Sequence, residues 1–292
     1  MDQASQLRNI IKAQSLPSRP LARVITVTSG KGGVGKSNMA INLAICFRRQ
    51  GQRVIILDAD FGLANIEIMF GAVPRHNLSD LIYQGKNIRE IITWGPMDVG
   101  FISGGSGIAG LSSLSREYLI YIIQNLAELD AIADVVIIDT GAGISSAVLE
   151  FLVASGEVIL VTSPEPTSIT DSYSLLKALL RHPRFHGEYT QVKMVANMVG
   201  HLSEGQTLFN KLNAVVSRYL KLPITYLGAV PQDNLLSQAV MQQLPVSLKS
   251  PAAKSSQAFE AIAGRLMNNE ECRDLNKRGM AAFFSHIVRN RE

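Results

Sequence analysis

Short, β-branched apolar runs recur along the chain and alternate with amphipathic stretches. They cover residues 23–28, 53–58, 99–103, 135–139, 158–162, 192–196 and 225–230. Because βαβ crossovers bury both faces of a parallel sheet, near-continuous apolar strands separated by helices predict a doubly wound, mostly parallel α/β fold. We expect this domain to occupy residues 23–264, between an N-terminal arm and linker over 1–22 and an amphipathic segment over 265–292.

The net charge of +4 lies at the two ends of the 292-residue chain. Residues 1–23 carry four basic groups and one acidic group, and residues 265–292 carry six and four. The part between them has 18 basic and 19 acidic residues, so it lacks the positive excess that phosphate contacts to DNA require. We therefore expect no direct nucleic-acid partner. Hydrophobic residues make up 47% of the chain, which excludes general disorder.

Membrane-spanning and cysteine-based functions are disfavoured by the same sequence. No apolar run approaches the roughly 18 residues that a membrane-crossing helix needs. The polar start MDQASQLRNI lacks the apolar stretch of a secretory signal, which predicts a cytoplasmic location. Cys46 and Cys272 belong to no CxxC pair, so neither a disulfide framework nor an iron–sulfur scaffold is expected.

A phosphate-binding loop follows the first predicted strand. The sequence SGKGGVGKS contains the pattern GxxxxGK[ST], and its context is a strand that feeds a glycine loop and then a helix. Backbone N–H groups and the helix dipole would bind phosphates there, with a lysine on the β- and γ-phosphates and a serine hydroxyl on Mg²⁺. The expected ATP contacts are Gly30, Lys31, Gly32, Gly33, Val34, Gly35, Lys36, Ser37 and Asn38.

Acidic residues end two of the predicted strands. Asp58 and Asp60 follow the second strand and point to one side by alternation, and Asp139 follows four apolar residues as in a Walker B strand. Carboxylates at the carboxyl ends of parallel strands lie in the ligand crevice of a doubly wound sheet. We expect Ser37 to bind Mg²⁺ and Asp139 to hold it through water.

The second lysine of GKGGVGKS, Lys31, resembles the deviant Walker A lysine of the MinD/ParA ATPases. That resemblance implies an ATP-dependent homodimer in which Lys31 reaches the partner's nucleotide. It also implies that the catalytic residues are Lys31, Lys36 and Asp60, and that Asp60 orients or activates the attacking water. Asp58 would lie near Mg²⁺, and Gly141 would lie at the γ-phosphate. The adenine contacts it implies are Asn197, Pro231 and Asp233. Asp58 as a turn or cap residue, and the adenine contacts as ordinary turn residues, remain alternatives.

The N-terminal residues DQASQLR resemble the DQAxxLR segment of the FlhG/FleN family of flagellar number regulators. The resemblance implies that Asp2, Gln3, Leu7 and Arg8 stimulate a partner GTPase of the FlhF type. It further implies contacts with the flagellar master transcription regulator and with switch-complex proteins. A short helix that packs on the domain is the alternative.

The C-terminal segment carries apolar residues on one predicted helix face. Met280, Phe283, Phe284 and Ile287 follow i, i+3, i+4, i+7 spacing, and residues 277–291 contain four basic groups and no acid. This composition is typical of a helix that lies on an anionic membrane surface, here the inner membrane. A helix that covers the domain is the alternative.

Together these features predict a Mg²⁺-dependent ATPase switch, cytoplasmic and reversibly bound at the membrane, that sets the number and placement of flagella. A ParA-type DNA or cargo-partition ATPase and a MinD-type septum-site ATPase are the remaining alternatives.

Overall fold

A computed structural model describes residues 21–60, 65–105, 116–268, 279–280 and 282–283. Its sheet contains eight strands in the order β3-β4-β2-β5-β1-β6-β7-β8, and every neighbouring pair is parallel except β3–β4. The strands are β1 Arg23–Thr28, β2 Val54–Ala59, β3 Thr93–Trp94, β4 Gly100–Ile102, β5 Val135–Thr140, β6 Glu157–Thr162, β7 Gln191–Val199 and β8 Ile224–Pro231.

Helices connect the strands and cover both faces of the sheet. The described helices are α1 Lys36–Arg49, α2 Asn65–Phe70, α3 Leu78–Gln84, α4 Ile88–Ile91, α5 Arg116–Ala127, α6 Leu129–Ile132, α7 Ser146–Ala154, α8 Pro166–Arg181, α9 Leu202–Tyr219, α10 Asn234–Met241, α11 Val246–Lys249 and α12 Lys254–Asn268. A short 3₁₀ turn, Pro96–Asp98, joins β3 to β4.

Alternate residues of each central strand pack into different cores. Ile137 of β5 lies in a cluster with α1 and α12, whereas its neighbours Val136 and Ile138 lie in a cluster on the opposite face. Side chains that alternate between two apolar layers explain why the strands are nearly continuous apolar runs. The predicted doubly wound fold is confirmed.

The edge strand β3 is the one strand that the apolar pattern did not predict. It contains only Thr93 and Trp94, and Trp94 is 55% exposed. Two residues at a half-exposed edge leave no apolar run to recognise. The seven predicted runs correspond to the other strands.

The predicted boundary after residue 264 lies inside α12. The last turn of this helix belongs to the core, because Leu266 is fully buried and Arg23 Nη1 donates to the Leu266 carbonyl at 2.8 Å. Arg23 in turn forms a two-bond contact with the buried carboxylate of Glu157, which also accepts from Lys193 at 2.7 Å. The folded domain thus extends to at least residue 268.

Candidate functional site

Tight packing in the loop between β1 and α1 requires glycine at specific positions. A Cβ at Gly30 would lie 2.2 Å from the carbonyl carbon of Asp171. Gly35 has a φ of +92°, and a Cβ there would lie 2.3 Å from the side-chain nitrogen of Asn197. Gly33, with a φ of +77°, also adopts a left-handed conformation that other residues rarely accept. Backbone geometry therefore explains the glycines at positions 30, 33 and 35.

The start of α1 is suited to an anion. Within the described residues, no side chain caps its first N–H groups, and its first turn contains no acid. Its 14 residues align peptide dipoles with their positive end at the glycine loop. Lys36 is buried in that first turn, and Ser37 and Asn38 are half-buried beside it. Val34, by contrast, packs into the apolar core, so its contribution to a ligand is its backbone.

Two carboxylates lie side by side at the ends of β2 and β5. Asp58 and Asp139 are direct partners in the parallel register of these strands, and they are 2% and 0% exposed. Asp58 accepts the N–H of Asp60 at 3.1 Å and, through its second oxygen, the N–H of Ile66 at 3.4 Å. Neither oxygen of Asp139 has a hydrogen-bond partner in the described part of the chain.

Burial makes both carboxylates difficult to ionise. Burial, followed by the neighbouring charge of Asp139, raises the pKa of Asp58 to about 8. Burial raises the pKa of Asp139 to about 6, although the Ser37 hydroxyl and the charge of Lys36 act in the opposite direction. A bound cation would favour the ionised forms, so cation binding should release protons and strengthen as the pH rises.

The donor set at Asp139 fits a hard divalent cation. Mg²⁺ prefers oxygen ligands, and here an unpartnered carboxylate lies beside the hydroxyl of Ser37. Asp58 lies next to them, but both of its oxygens accept hydrogen bonds from backbone N–H groups, those of Asp60 and Ile66. These contacts support the alternative interpretation of Asp58 as a turn or cap residue.

Asp60 lies between the two strand ends. Its Oδ2 accepts from the side-chain amide of Asn65 at 3.2 Å, and a Cβ at Gly141 would lie 3.1 Å from its Oδ1. The structure thus brings Asp60 and Gly141 together, as the predicted roles require. Asn65 was not predicted as a site residue, because nothing in the sequence indicates that its side chain contacts Asp60.

Lys31 does not extend freely from the loop. Its ammonium group contacts the carboxylate of Glu165 and the hydroxyl of Thr167, the latter at 2.9 Å, at the start of α8. These partners lie 134 and 136 residues away in sequence, so no local pattern could have indicated them. In this state Lys31 is held within its own chain.

The residues predicted to contact adenine are engaged within the chain. The side-chain amide of Asn197 donates to the Val34 carbonyl at 2.7 Å. Asp233 caps α10 by accepting from the Leu235 N–H, and its other oxygen holds the N–H and hydroxyl of Ser255. Burial acts to raise the pKa of Asp233, but these bonds outweigh it and lower the pKa overall. An adenine contact through the same atoms would compete with these bonds.

Pro231 ends β8, where it is half-buried and contributes no side-chain donor or acceptor to a ligand. The predicted GTPase-contacting residues Asp2, Gln3, Leu7 and Arg8 lie outside the described residues.

The C-terminal apolar residues are docked on the domain as far as they are described. Met280 and Phe283 are 0% and 1% exposed, and Phe283 stacks on Phe151 of α7 with ring centroids 6.2 Å apart. The Met280 N–H donates to Asp130 at 2.8 Å. The covering role that the sequence left open therefore applies to these two residues, while Phe284 and Ile287 lie outside the described residues.

The chain is similar to known proteins over most of its length. The sequence model of the ParA family, described as NUBPL iron-transfer P-loop NTPase, matches residues 21–267. The antiactivator FleN of Pseudomonas aeruginosa is 40% identical over 244 residues, which cover 84% of this chain and 86% of FleN. The flagellum site-determining protein YlxH of Helicobacter pylori is 32% identical over 99% of this chain and 98% of its own length.

Solved structures share the fold at lower sequence identity. The septum site-determining protein MinD of Pyrococcus horikoshii, complexed with Mg-ADP, aligns with a TM-score of 0.65 and 21% identity, over 85% of this chain and 97% of MinD. A ParA family ATPase of Chlorobium tepidum aligns with a TM-score of 0.68 and 19% identity, over 84% and 99%.

Proposed function

This chain belongs to the ParA family of P-loop NTPases, and from that premise we propose that it is a Mg²⁺-dependent ATPase switch that regulates the number and placement of flagella. The observation that carries the ATPase part is the buried, unpartnered carboxylate of Asp139 next to an uncapped helix that follows a glycine loop. The Mg-ADP complex of the MinD relative supports the same ligands here.

Each residue of the site has a distinct task in this proposal. The loop glycines and the first N–H groups of α1 bind the phosphates, and Lys36 neutralises their charge. Ser37 and Asp139 hold Mg²⁺, which supplies charge neutralisation for phosphoryl transfer when it is bound. Asp60, which lies near Gly141, orients the attacking water.

We also propose that ATP converts the chain from a monomer to a homodimer. Lys31 would leave Glu165 and Thr167, which hold it in the single chain, and reach the phosphates bound by the other protomer. The exchange is feasible because the contact with Glu165 is solvent-exposed, and exposed ion pairs contribute only about 0–1 kcal/mol.

Replacing Lys31 tests the dimer. We expect Lys31→Ala to remain a monomer in the presence of Mg²⁺ and a non-hydrolysable ATP analogue, whereas the wild type dimerises. Size-exclusion chromatography with light scattering measures the difference. Lys211→Ala removes the same charge from an exposed position on α9 and should dimerise normally. A Lys31→Ala dimer of wild-type affinity would refute the cross-protomer role.

The flagellar part of the proposal is supported by the relatives. Two relatives above 30% identity are an antiactivator and a flagellum site-determining protein. Septum site-determining proteins of the MinD type match at 25–30% identity. We therefore favour flagellar regulation, with an FlhF-type GTPase, the flagellar master transcription regulator and switch-complex proteins as partners.

The N-terminal arm provides a direct test of the partner. We expect the full chain to accelerate GTP hydrolysis by an FlhF-type GTPase, and a chain lacking residues 1–8 to lose that effect while retaining its own ATPase activity. Arg8→Ala should reduce the stimulation at least ~10-fold, because an arginine at a γ-phosphate contributes strongly to hydrolysis. Lys12→Ala, outside the motif, is the matched control. Full stimulation without the arm would contradict the assignment.

Association with the inner membrane surface would require the docked C-terminal residues to leave the domain. Met280 and Phe283 are buried in the single chain, so their apolar surface becomes available to lipid only after release from Phe151 and its neighbours. No helix in the described ranges is long and apolar enough to cross a bilayer. We propose that reversible release, coupled to dimer formation, gives peripheral attachment.

Iron transfer, which appears in the description of the matching family, has little support from the residues of this chain. In the described part of the chain, no group of three or more His, Cys, Asp or Glu side chains is arranged to hold one metal ion. Burial, reinforced by Glu260, raises the pKa of the Cys46 thiol to about 12, and a thiol must lose its proton to bind iron.

A further inference from the structure

The two ends of the described chain meet at the amino end of β1. The N–H of Gly279 donates to the carbonyl of Ala22 at 3.1 Å, directly before the first strand residue, Arg23. A Cβ at Gly279 would lie 3.2 Å from Leu21 Cδ1, so the side chain of Leu21 also packs against this position. Leu21 and Ala22 are the root of the N-terminal arm. The root therefore contacts the C-terminal segment directly.

Buried apolar contacts join the same two parts of the chain. Ala22, Met280 and Phe283 are fully or almost fully buried and belong to one apolar cluster. Gly279, Met280 and Phe283 form what we call the docked turn, in which the Phe283 N–H donates to the Gly279 carbonyl at 3.1 Å, the i to i+4 bond of a helix. If this turn left the domain, Ala22 would lose a hydrogen bond and become exposed to water.

Arg23 holds a second point of the C-terminal part at the start of the same strand. Its Nη1 donates to the carbonyl of Leu266 in the last turn of α12, and its other guanidinium nitrogens bind the buried carboxylate of Glu157. These contacts do not involve the docked turn, so they remain when the turn leaves. The effect of undocking therefore falls on the root of the arm and not on β1 itself.

We propose that the N-terminal arm and the C-terminal segment are coupled through this shared contact. The docked turn occupies the surface around the root, so a protein bound to the arm close to the domain competes with the turn for that surface. The inference rests on the proposed function, in which the arm acts on a GTPase and the C-terminal segment is released to the membrane. It adds that the two ends are controlled together.

The coupling has a direction and a reciprocal. Docking of the turn restrains the root and disfavours binding of the arm to its partner, whereas release of the turn favours it. By linkage, a partner that binds the arm weakens docking by the same factor. The released state therefore presents both ends at once, the arm to the GTPase and the apolar face to lipid.

Gly279→Ala opposes docking without altering the apolar side chains of the turn. Gly279 has a φ of +90°, and a Cβ there would lie 2.7 Å from Oδ2 of Asp130, whose other oxygen accepts the Met280 N–H. Gly264→Ala is the matched control, because it adds the same methyl group in α12 where no atom lies within 4 Å. Phe283→Asp, which places a charge at a buried position, is a second way to undock the turn.

Hydrogen exchange of the full chain with ADP, without partners, tests whether the turn restrains the root. In Gly279→Ala and Phe283→Asp we expect the amides of Met280 and residue 283 to exchange at least ~10-fold faster, and those of Leu21 and Ala22 to follow, while β1 from Val24 onward keeps its wild-type rate. Gly264→Ala should match the wild type throughout. A root that keeps wild-type exchange in both undocked variants would overturn the coupling.

An FlhF-type GTPase tests the reverse direction. Its addition should speed exchange at Met280 and Phe283 in the wild type and have no such effect on a chain lacking residues 1–8. Gly279→Ala should reach half-maximal stimulation of GTP hydrolysis at a concentration about 3- to 10-fold below that of the wild type, with the same maximum.

Two kinds of failure are distinguishable in this experiment. Unchanged exchange at the docked turn on addition of the GTPase, or equal half-maximal concentrations for Gly279→Ala and the wild type, would overturn the coupling and leave the GTPase assignment intact. A wild type that does not stimulate the GTPase at any concentration would instead overturn that part of the proposed function, and the exchange of the root would still decide whether the two ends are coupled.

Discussion

Asp139→Asn is expected to abolish ATP turnover and, at the same time, to make the nucleotide-free protein more stable. The loss of turnover should be at least ~100-fold, because the variant removes the carboxylate best suited to hold Mg²⁺ next to the phosphates. The gain in stability follows from the burial of the same carboxylate. Asp139 is fully buried, and neither oxygen of its carboxylate has a hydrogen-bond partner in the described part of the chain. Burial outweighs the opposing effects of the Ser37 hydroxyl and Lys36 on its pKa, so the ionised carboxylate destabilises the fold.

The stability gain should depend on pH, and its direction follows from the raised pKa. The pKa of Asp139 rises from 3.8 to about 6 on folding, so between these values the folded state keeps a proton that the unfolded state releases. The free energy of unfolding therefore falls as the pH rises from about 4 to about 6, and the full cost remains above that range. The neutral amide introduced by Asp139→Asn would carry no such cost at any pH.

Urea unfolding in EDTA without nucleotide measures the effect. At pH 8 we expect Asp139→Asn to unfold with a free energy about 1–2 kcal/mol above that of the wild type. At pH 4.5 the carboxyl is protonated in the folded state but still mostly ionised in the unfolded state, so the difference should shrink to about a third of its value at pH 8. An Asp139→Asn variant with normal turnover would remove Asp139 from the cation site. Equal stability at pH 8 would show that its carboxylate is compensated.

The two strand-end carboxylates show how far the sequence could predict this site. Because the carboxyl ends of parallel strands lie at the same edge of the sheet, the sequence was enough to expect Asp58 and Asp139 in one crevice. Their direct pairing depends on β2 lying beside β5, which no local pattern indicates. The sequence could not predict that Asp58 binds backbone N–H groups whereas the Asp139 carboxylate stays available to a cation. Asp58 has this role because it accepts the N–H of Ile66, eight residues later in the chain. That contact depends on how the chain folds after β2.

Contacts between residues far apart in sequence could not be predicted either, because they too depend on how the whole chain folds. Lys31 meets Glu165, and Asn197 reaches the carbonyl of Val34, 163 residues away. Each pair is brought together by the order of the strands in the sheet. No local motif in a single sequence indicates the order of the strands in the sheet. The phosphate loop was predictable because all of its residues are consecutive.

The same limit applies to the C-terminal segment. The helical spacing of Met280 and Phe283 correctly identified an apolar face, but it could not tell whether lipid or protein covers that face. Phe151, which stacks on Phe283, belongs to α7, 132 residues earlier in the chain. In the single chain that helix provides the apolar surface.

Gly30→Ala is expected to cause the largest loss of stability of any single methyl group added to the phosphate loop. The new Cβ would lie 2.2–2.5 Å from backbone atoms of Asp171 and Ser172 in α8, well inside van der Waals contact. Backbone atoms within a helix cannot move singly, so α8 as a whole would have to shift.

Helix α8 is firmly anchored, which makes that shift costly. Its residues Leu175, Leu176 and Leu179 are buried in the apolar core, and Ser172 is hydrogen-bonded to Thr162 of β6 at 2.9 Å. We expect the free energy of unfolding to fall by about 3 kcal/mol. Nucleotide binding should also weaken, because α8 begins next to the loop that holds the phosphates.

Gly32→Ala is the matched control, because it adds the same methyl group two residues away in the same loop. The nearest atom to a Cβ there is the Cβ of Ala142 at 3.9 Å, an ordinary contact, and its φ is not in the left-handed range. Its stability without nucleotide should stay within about 0.5 kcal/mol of the wild type. Urea unfolding of both variants in EDTA makes the comparison. Similar losses for the two variants would mean that the glycines serve loop flexibility in general, whereas a loss confined to Gly30→Ala identifies the close approach of α8 as the reason for glycine at that position.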